Sequence, residues 1–273
     1  MNPRPFLFAA EFALLLAAIV PTALAEGEGV DVHRRQLLLL PRAQVDGMAA
    51  RQYGQTRQEA ARRGVLNTDA AQVERLRRIA TRLIPQSARF NANARAWKWE
   101  VNLIQTKTVN ASCAPGGKIF FYAGILQTLK LDDDEVAIVM GHEIAHALRE
   151  HGRERMSEQY LKVAGIGLAA TFLNLSSLKA DLLSKAVDLT LTLPHSRTHE
   201  TEADVIGLEL AARAGYDPRA GVRVWKKMSA AGGGQPPQFL STHPSHASRI
   251  HDIEAQLPKV MPLYEAAPKP ARP

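Results

Sequence analysis

The chain has 273 residues, 46% of them hydrophobic and 22% charged, with a formal net charge of +7. That composition excludes a collagenous or low-complexity chain and leaves length for one good core or two small ones. A single cysteine, Cys113, excludes a disulfide framework, and the basic excess, much of it between Arg51 and Arg95, comes with no aromatic interleaving or motif that would make a nucleic-acid partner a good reading. It reads as a solvated basic face, with association with an anionic membrane surface as the alternative.

Residues 1–25 have the layout of a signal peptide. Arg4 precedes the apolar run Phe12–Val20, Pro21 ends the run, and Ala23-Leu24-Ala25 offers a small-x-small cleavage site. An uncleaved anchor is the rival, and export to the periplasm is the expectation. Residues 26–66 form a basic N-terminal segment with a helix over 44–63, and residues 67–257 form the main domain. Thr68 is the expected cap of a helix whose Val73, Leu76, Ile79, Ala80 and Leu83 recur at helical spacing up to Pro85. Trp97, Trp99, Val101 and Leu103 alternate with polar residues and predict a half-buried strand. Pro115-Gly116-Gly117 predicts a turn into a second strand at Ile119–Tyr122.

Asp132-Asp133-Asp134 predicts the acidic start of a helix running from about 133 to 158. Leu161–Leu175 is apolar but short for a bilayer, so a buried helix is expected, with another over 178–191. A helix from Thr198 to Ala214 stops at Gly215, and Asp217-Pro218 opens the next. A Gly/Pro loop over 232–237 follows, Ser245 caps a last helix to Leu257, and the Pro-rich tail 258–273 reads as disordered.

The chemistry concentrates in His142-Glu143-Ile144-Ala145-His146. Two histidines four apart on a helix share a face, separated by about 40°, so both imidazoles reach one metal, and the glutamate between them can hold a water on that metal. A catalytic zinc takes three protein ligands and leaves one position open. The stretch His199-Glu200-Thr201-Glu202-Ala203-Asp204 offers the third. Glu200 and Asp204 share a face with Ala203, Gly207 and Ala211, small residues that allow close helix packing. Glu200 is therefore the expected ligand, Asp204 the outer acceptor for a ligand histidine's N–H, and Glu202 is expected to point to solvent. His151 lies nine residues after His142, on the opposite face of a continuous helix, and reads as a surface residue. His195 reads the same way, and Cys113 as a small packed residue.

Four stretches in order carry a family likeness: Asn110–Ile119, Gly141–His146, Ser196–Asp204, and Thr242-His243-Pro244-Ser245 with Arg249. The chain resembles the metallopeptidases that include the CAAX prenyl proteases, the HtpX-like stress proteases and the BepA-like periplasmic proteases, and its soluble exported members most. The resemblance implies an α+β fold: a mostly helical, gluzincin-type metallopeptidase domain with a small sheet whose edge strand lines the cleft. It implies one Zn2+ per chain on His142, His146 and Glu200, with Glu143 as general base. Asn110, Ala111, Ser112, Cys113 and Ala114 would pair with an extended substrate. His243 and Arg249 are carried over as catalytic residues facing the substrate carbonyl, with the alternative that His243 closes the fourth zinc position and keeps the enzyme latent. The implied function is an endopeptidase acting on misfolded or misassembled envelope proteins, and the alternative is a zinc-bearing assembly factor for outer-membrane proteins.

Overall fold

The computed structural model describes residues 29–172, 195–231, 238–244 and 248–271. The stretch 1–25, the apolar segment 178–191, the loop 232–237 and the cap at Ser245 lie outside the described residues. Among the described residues, no helix is long and apolar enough to cross a membrane.

Helix α1 spans Arg42–Arg62 and α2 spans Ala70–Leu83. The α2 periodicity works as read: Val73, Leu76, Ile79, Ala80 and Leu83 are all buried on one face. Its cap is one residue later than expected, because the Asp69 carboxylate accepts the Gln72 N–H at 3.0 Å. Strand β1 is Glu100–Ile104, β2 Ala111–Ala114 and β3 Lys118–Tyr122. The tryptophans at 97 and 99 precede β1 rather than belonging to it. Gly116 and Gly117, both at φ 79°, make the β2–β3 turn. The sheet order is β1-β3-β2, with β1 parallel and β2 antiparallel to β3, so β2 has one neighbour in the sheet and an open outer edge. Tyr53 and Ala60 of α1 cover Ile104 and Phe120 on one face of the sheet. The main core, on the other face, includes residues of α2 and of the helices that bear the site.

After the short α3 (Ala123–Thr128), helix α4 runs Asp133–Leu148. Asp132 and Glu135 form a reciprocal capping box at its start. Its end differs from the expected continuous helix to 158. Glu150 sits at φ 52°, in the left-handed region, and a separate helix α5 begins at His151 and reaches Phe172. One left-handed residue redirects the chain, which voids the assumption of constant helical phase beyond Leu148.

Helix α6 covers Arg197–Arg213, capped by the Ser196 hydroxyl, and Gly215 at φ 84° ends it. It lies directly against α4 through glycine. A methyl group on Gly207 would stand 2.8 Å from the His142 nitrogen, and one on Gly141 would stand 2.9 Å from the Gly207 carbonyl. No side chain fits between the backbones, and that contact brings the carboxylates of α6 to the histidines of α4. Helices α7 (Ala220–Ala231), α8 (Gln238–Thr242) and α9 (Arg249–Ala266) complete the described fold. Helix α9 continues past Leu257 into the proline-rich stretch expected to be disordered. Pro258 and Pro262 lie inside it, while Val260 and Leu263 are buried. Burial of such side chains, worth about 1.5–3 kcal/mol each, offsets much of the cost of interior prolines, about 3 kcal/mol apiece.

Candidate active site

Helix α4 is buried along nearly its whole length, so its polar residues require partners. The Nε2 atoms of His142 and His146 face each other at 3.0 Å. Glu200 of α6 points between them, its oxygens 3.6 Å from His142 Nε2 and 3.4 Å from His146 Nε2. His243, just beyond α8, completes the group: one donor atom from each of His142, His146, Glu200 and His243 lies within 4.8 Å of the others. Glu143 stands at the rim, with its Oε1 3.4 Å from His243 Nε2.

At this cluster Glu143 Oε1, Glu200 Oε1 and His243 Nε2 are buried without a hydrogen-bond partner among the described residues. Unpartnered buried polar atoms are costly. Burial, reinforced by the charge of Glu200, pushes the Glu143 carboxyl well above the usual range. Burial also pushes Glu200 up to about 8, against the pull of Arg249. Burial lowers the imidazoles of His142, His146 and His243. Neutral imidazole lone pairs and a carboxylate oxygen converging on one point form a donor set that a divalent cation satisfies. The residues present fit a metal ion.

The surrounding contacts orient these donors. His142 Nδ1 lies 3.0 Å from Asp204 Oδ1, the outer contact expected from helix spacing. His243 Nδ1 faces the Phe239 carbonyl at 3.2 Å and the Thr242 hydroxyl at 3.0 Å, which turns Nε2 inward. The placement of Arg249 differs from a residue facing a substrate carbonyl. It is buried, donates to Glu200 Oε2 at 2.6 Å and to both oxygens of Asp204 at 2.7 and 2.8 Å, and lies 3.4 Å over the Trp225 ring. It clamps the carboxylates and leaves Glu200 Oε1 for the metal position.

Residues Asn110–Ala114 do form the sheet edge next to α4. Asn110 accepts from Tyr122 across the hairpin, so Ala111 and Cys113 turn their own N–H groups outward. The Ala111 N–H is taken by the Asn110 side chain at 3.0 Å, and the Cys113 backbone lies against Glu143, where it draws the carboxyl down against the effect of burial.

Three residues read as surface groups lie inside the site's surroundings. His151 is fully buried, with Nδ1 2.8 Å from His146 Nδ1. Burial holds its imidazole down at about 4, although Glu202 pulls the other way. Glu202 is 7% exposed rather than solvated, and contacts His151, Arg34 and Arg149. The His195 ring is half-buried, its centroid 3.9 Å from that of His146. No helical period marks these residues: the turn at Glu150 brings His151 to His146, and Glu202 is covered by side chains from other segments of the chain.

Comparison with known proteins adds to this geometry. The model of peptidase family M48 matches residues 70–257. The chain is 42% identical over 172 residues to the mitochondrial metalloendopeptidase OMA1 of Schizosaccharomyces pombe, covering 62% of this chain and 50% of that protein. It is 32% identical over 179 residues to the mitochondrial metalloendopeptidase OMA1 of Homo sapiens, covering 61% of this chain and 34% of that one. The beta-barrel assembly-enhancing protease of Escherichia coli is 26% identical over 182 residues, covering 63% of this chain and 37% of that one. The chain thus spans about half or less of the length of these relatives. They correct the expected exported, periplasmic setting: the relatives at 32–42% identity carry mitochondrial names, and the bacterial assembly-enhancing proteases match at 26%. Four converging donors on α4, α6 and the His243 loop, together with a family match across most of the described fold, place the chain in peptidase family M48.

Proposed function

We propose that this protein is a zinc endopeptidase that cleaves extended polypeptide bound along β2 and that rests in a closed state. The carrying observation is the convergence of His142, His146, Glu200 and His243 donor atoms within 4.8 Å beside the unpartnered Glu143 Oε1. His142, His146 and Glu200 would hold one zinc ion, a nitrogen and oxygen set typical of catalytic zinc. When bound, the ion supplies Lewis acidity toward the attacking water and the scissile carbonyl.

The chain's own residues do the rest. Glu143 Oε1 stands buried in the site without a hydrogen-bond partner among the described residues. It takes a proton from the attacking water as the water oxygen bonds to the carbonyl carbon, then delivers that proton to the leaving nitrogen. A substrate strand pairs with the outward groups of Ala111 and Cys113, displacing the Asn110 side chain and the Glu143 contact. Backbone pairing reads few side chains, so the substrate class is unfolded protein. The envelope origin expected for those substrates is not carried forward.

His243 closes the fourth position in this reading. Its Nε2 belongs to the donor cluster and its Nδ1 is tied to Phe239 and Thr242. His243→Ala is therefore expected to raise basal cleavage of unfolded casein about tenfold at matched zinc loading, equivalent to ~1.4 kcal/mol of closure. A fall of about 10²–10³-fold would instead make it an oxyanion donor, and equal rates would leave it a structural residue. The function itself is tested by chelation. Stripping the metal should abolish casein cleavage, and about one equivalent of zinc should restore it. Cleavage that survives complete metal removal would sink the proposal.

A further inference from the structure

His142 and His146 are held in different ways. His142 Nδ1 meets a carboxylate directly, that of Asp204, and Arg249 neutralises that carboxylate. His146 Nδ1 meets another imidazole, His151, at 2.8 Å. His151 Nε2 then meets Glu202 Oε2 at 3.0 Å. Glu202 accepts from Arg34 Nε at 2.7 Å and from Arg149 Nε at 3.2 Å. The two arms share one logic, ligand imidazole to carboxylate to guanidinium, with one imidazole inserted in the second.

We propose that His151 and Glu202 are positioning residues that fix the tautomer and orientation of His146, and that Arg34 anchors this relay from the N-terminal segment.

Donor and acceptor counting sets the direction. A carboxylate only accepts, so His151 Nε2 carries the hydrogen that faces Glu202. In a neutral ring His151 Nδ1 is then an acceptor, and His146 Nδ1 must donate to it. That leaves the His146 Nε2 lone pair facing Glu200 and His142, where the metal donors converge. The opposite tautomer would put a hydrogen on His146 Nε2, aimed at the metal position. Orientation follows as well: His146 is gripped at Nδ1 and covered on its ring by His195 at 3.9 Å between centroids.

Two features of the fold support this contact. The left-handed Glu150 ends α4 and swings His151 back toward His146. Extended residues 30–40 are tied along α5 and α6: Val30 N–H donates to Glu209 at 2.5 Å, Leu39 and Leu40 N–H groups donate to the Ser157 hydroxyl, and Arg153 donates to the Leu38 and Leu40 carbonyls. This tether holds Arg34 between Glu202 and Glu154, which it contacts at 2.6 and 2.7 Å through its two terminal nitrogens.

The inference rests on the zinc reading of the site, so the test has two arms with different readouts. Zinc affinity of the full chain is measured by competition with a chelator. His151→Ala is expected to weaken it about 10–100-fold, the usual scale for losing the outer partner of a ligand histidine. His151→Asn is expected to recover most of that loss, because an amide oxygen can accept near the Nδ1 position. At saturating zinc, His151→Ala should lower kcat and leave KM for casein unchanged, since the relay touches no substrate. Affinity within about twofold of wild type for His151→Ala, or an asparagine variant as weak as the alanine one, overturns the proposal. So does a second tightly held zinc lost in His151→Ala, which would make His146 Nδ1 a ligand rather than a donor. The second arm uses the zinc-free wild-type protein and does not depend on any variant folding. Nitrogen-15 imidazole shifts should show His146 protonated at Nδ1 and bare at Nε2, and the reverse tautomer overturns the relay. A wild type that binds no zinc would refute the proposed function, while the tautomer still decides the relay.

Discussion

Glu143→Gln should cut casein turnover about 10²–10⁴-fold, the range for removing a positioned general base, with about one zinc per chain retained on an intact ligand set. The structure explains why the two effects separate. Glu143 lies outside the trio of His142, His146 and Glu200, and its contacts are the Cys113 backbone and the approach to His243 at 3.4 Å. Glutamine keeps the size and shape of the side chain, so the edge strand keeps its place. The amide cannot take a proton from water, so the oxygen that stands unpartnered at the site loses its task. Full zinc occupancy with near wild-type cleavage would refute the mechanism, whereas loss of zinc together with activity would place Glu143 among the ligands. Rescue of client assembly by Glu143→Gln without cleavage would favour an assembly factor, so the same variant addresses that alternative.

Arg249→Met should be the most destabilising change near the site, costing about 3–5 kcal/mol, as for breaking a buried ion pair by removing one partner. For a chain of this size that corresponds to a fall in Tm of roughly 6–20 °C. Arg249 is 1% exposed and neutralises two buried carboxylates at once, Glu200 and Asp204. Methionine fills part of the volume but strands the Asp204 charge and leaves Glu200 without its donor. The pH dependence has a definite sign. Burial opposes ionisation of Asp204, but Arg249 and His142 hold its carboxyl below the usual range. A depressed folded value contributes stability above the unfolded pKa and loses it as pH falls through the folded value. The gap between wild type and Arg249→Met should therefore be widest near neutral pH and narrow below about pH 4. Thermal melts of zinc-free protein across that range measure it. A Tm change under about 2 °C at neutral pH would show that the clamp is energetically unimportant.

Much of the site was legible because its geometry is local. Four-residue spacing on one helix decides that His142 and His146 converge, and the same rule pairs Glu200 with Asp204 on another. The small residues at Gly207 and Ala211 announced the close helix contact that Gly141 and Gly207 make. The turn glycines and the short apolar run after them marked β3, whereas the edge strand at Asn110–Ala114 came only from the family resemblance. The misreadings share a cause. Treating 133–158 as one helix carried a constant phase past Leu148, and the left-handed Glu150 breaks that phase with no glycine or proline to mark it. His151 was consequently assigned to the wrong face. Glu202 does lie on a different face of α6 from Glu200, as spacing required, but α5 and residues 30–40 cover that face. Arg249 was expected at the reacting carbonyl, and only the packing of α9 on α6 shows that its donors are used by carboxylates.

Sequence alone thus brought His142, His146 and Glu200 together with Glu143 beside them, because that convergence depends on residue type and helical period. Tertiary structure decided which face of each helix is wet, where His243 and Arg249 point and what holds His146 in place. Those depend on contacts between segments far apart in the chain, such as Arg34 with Glu202 across 168 residues, and no local period encodes such a contact.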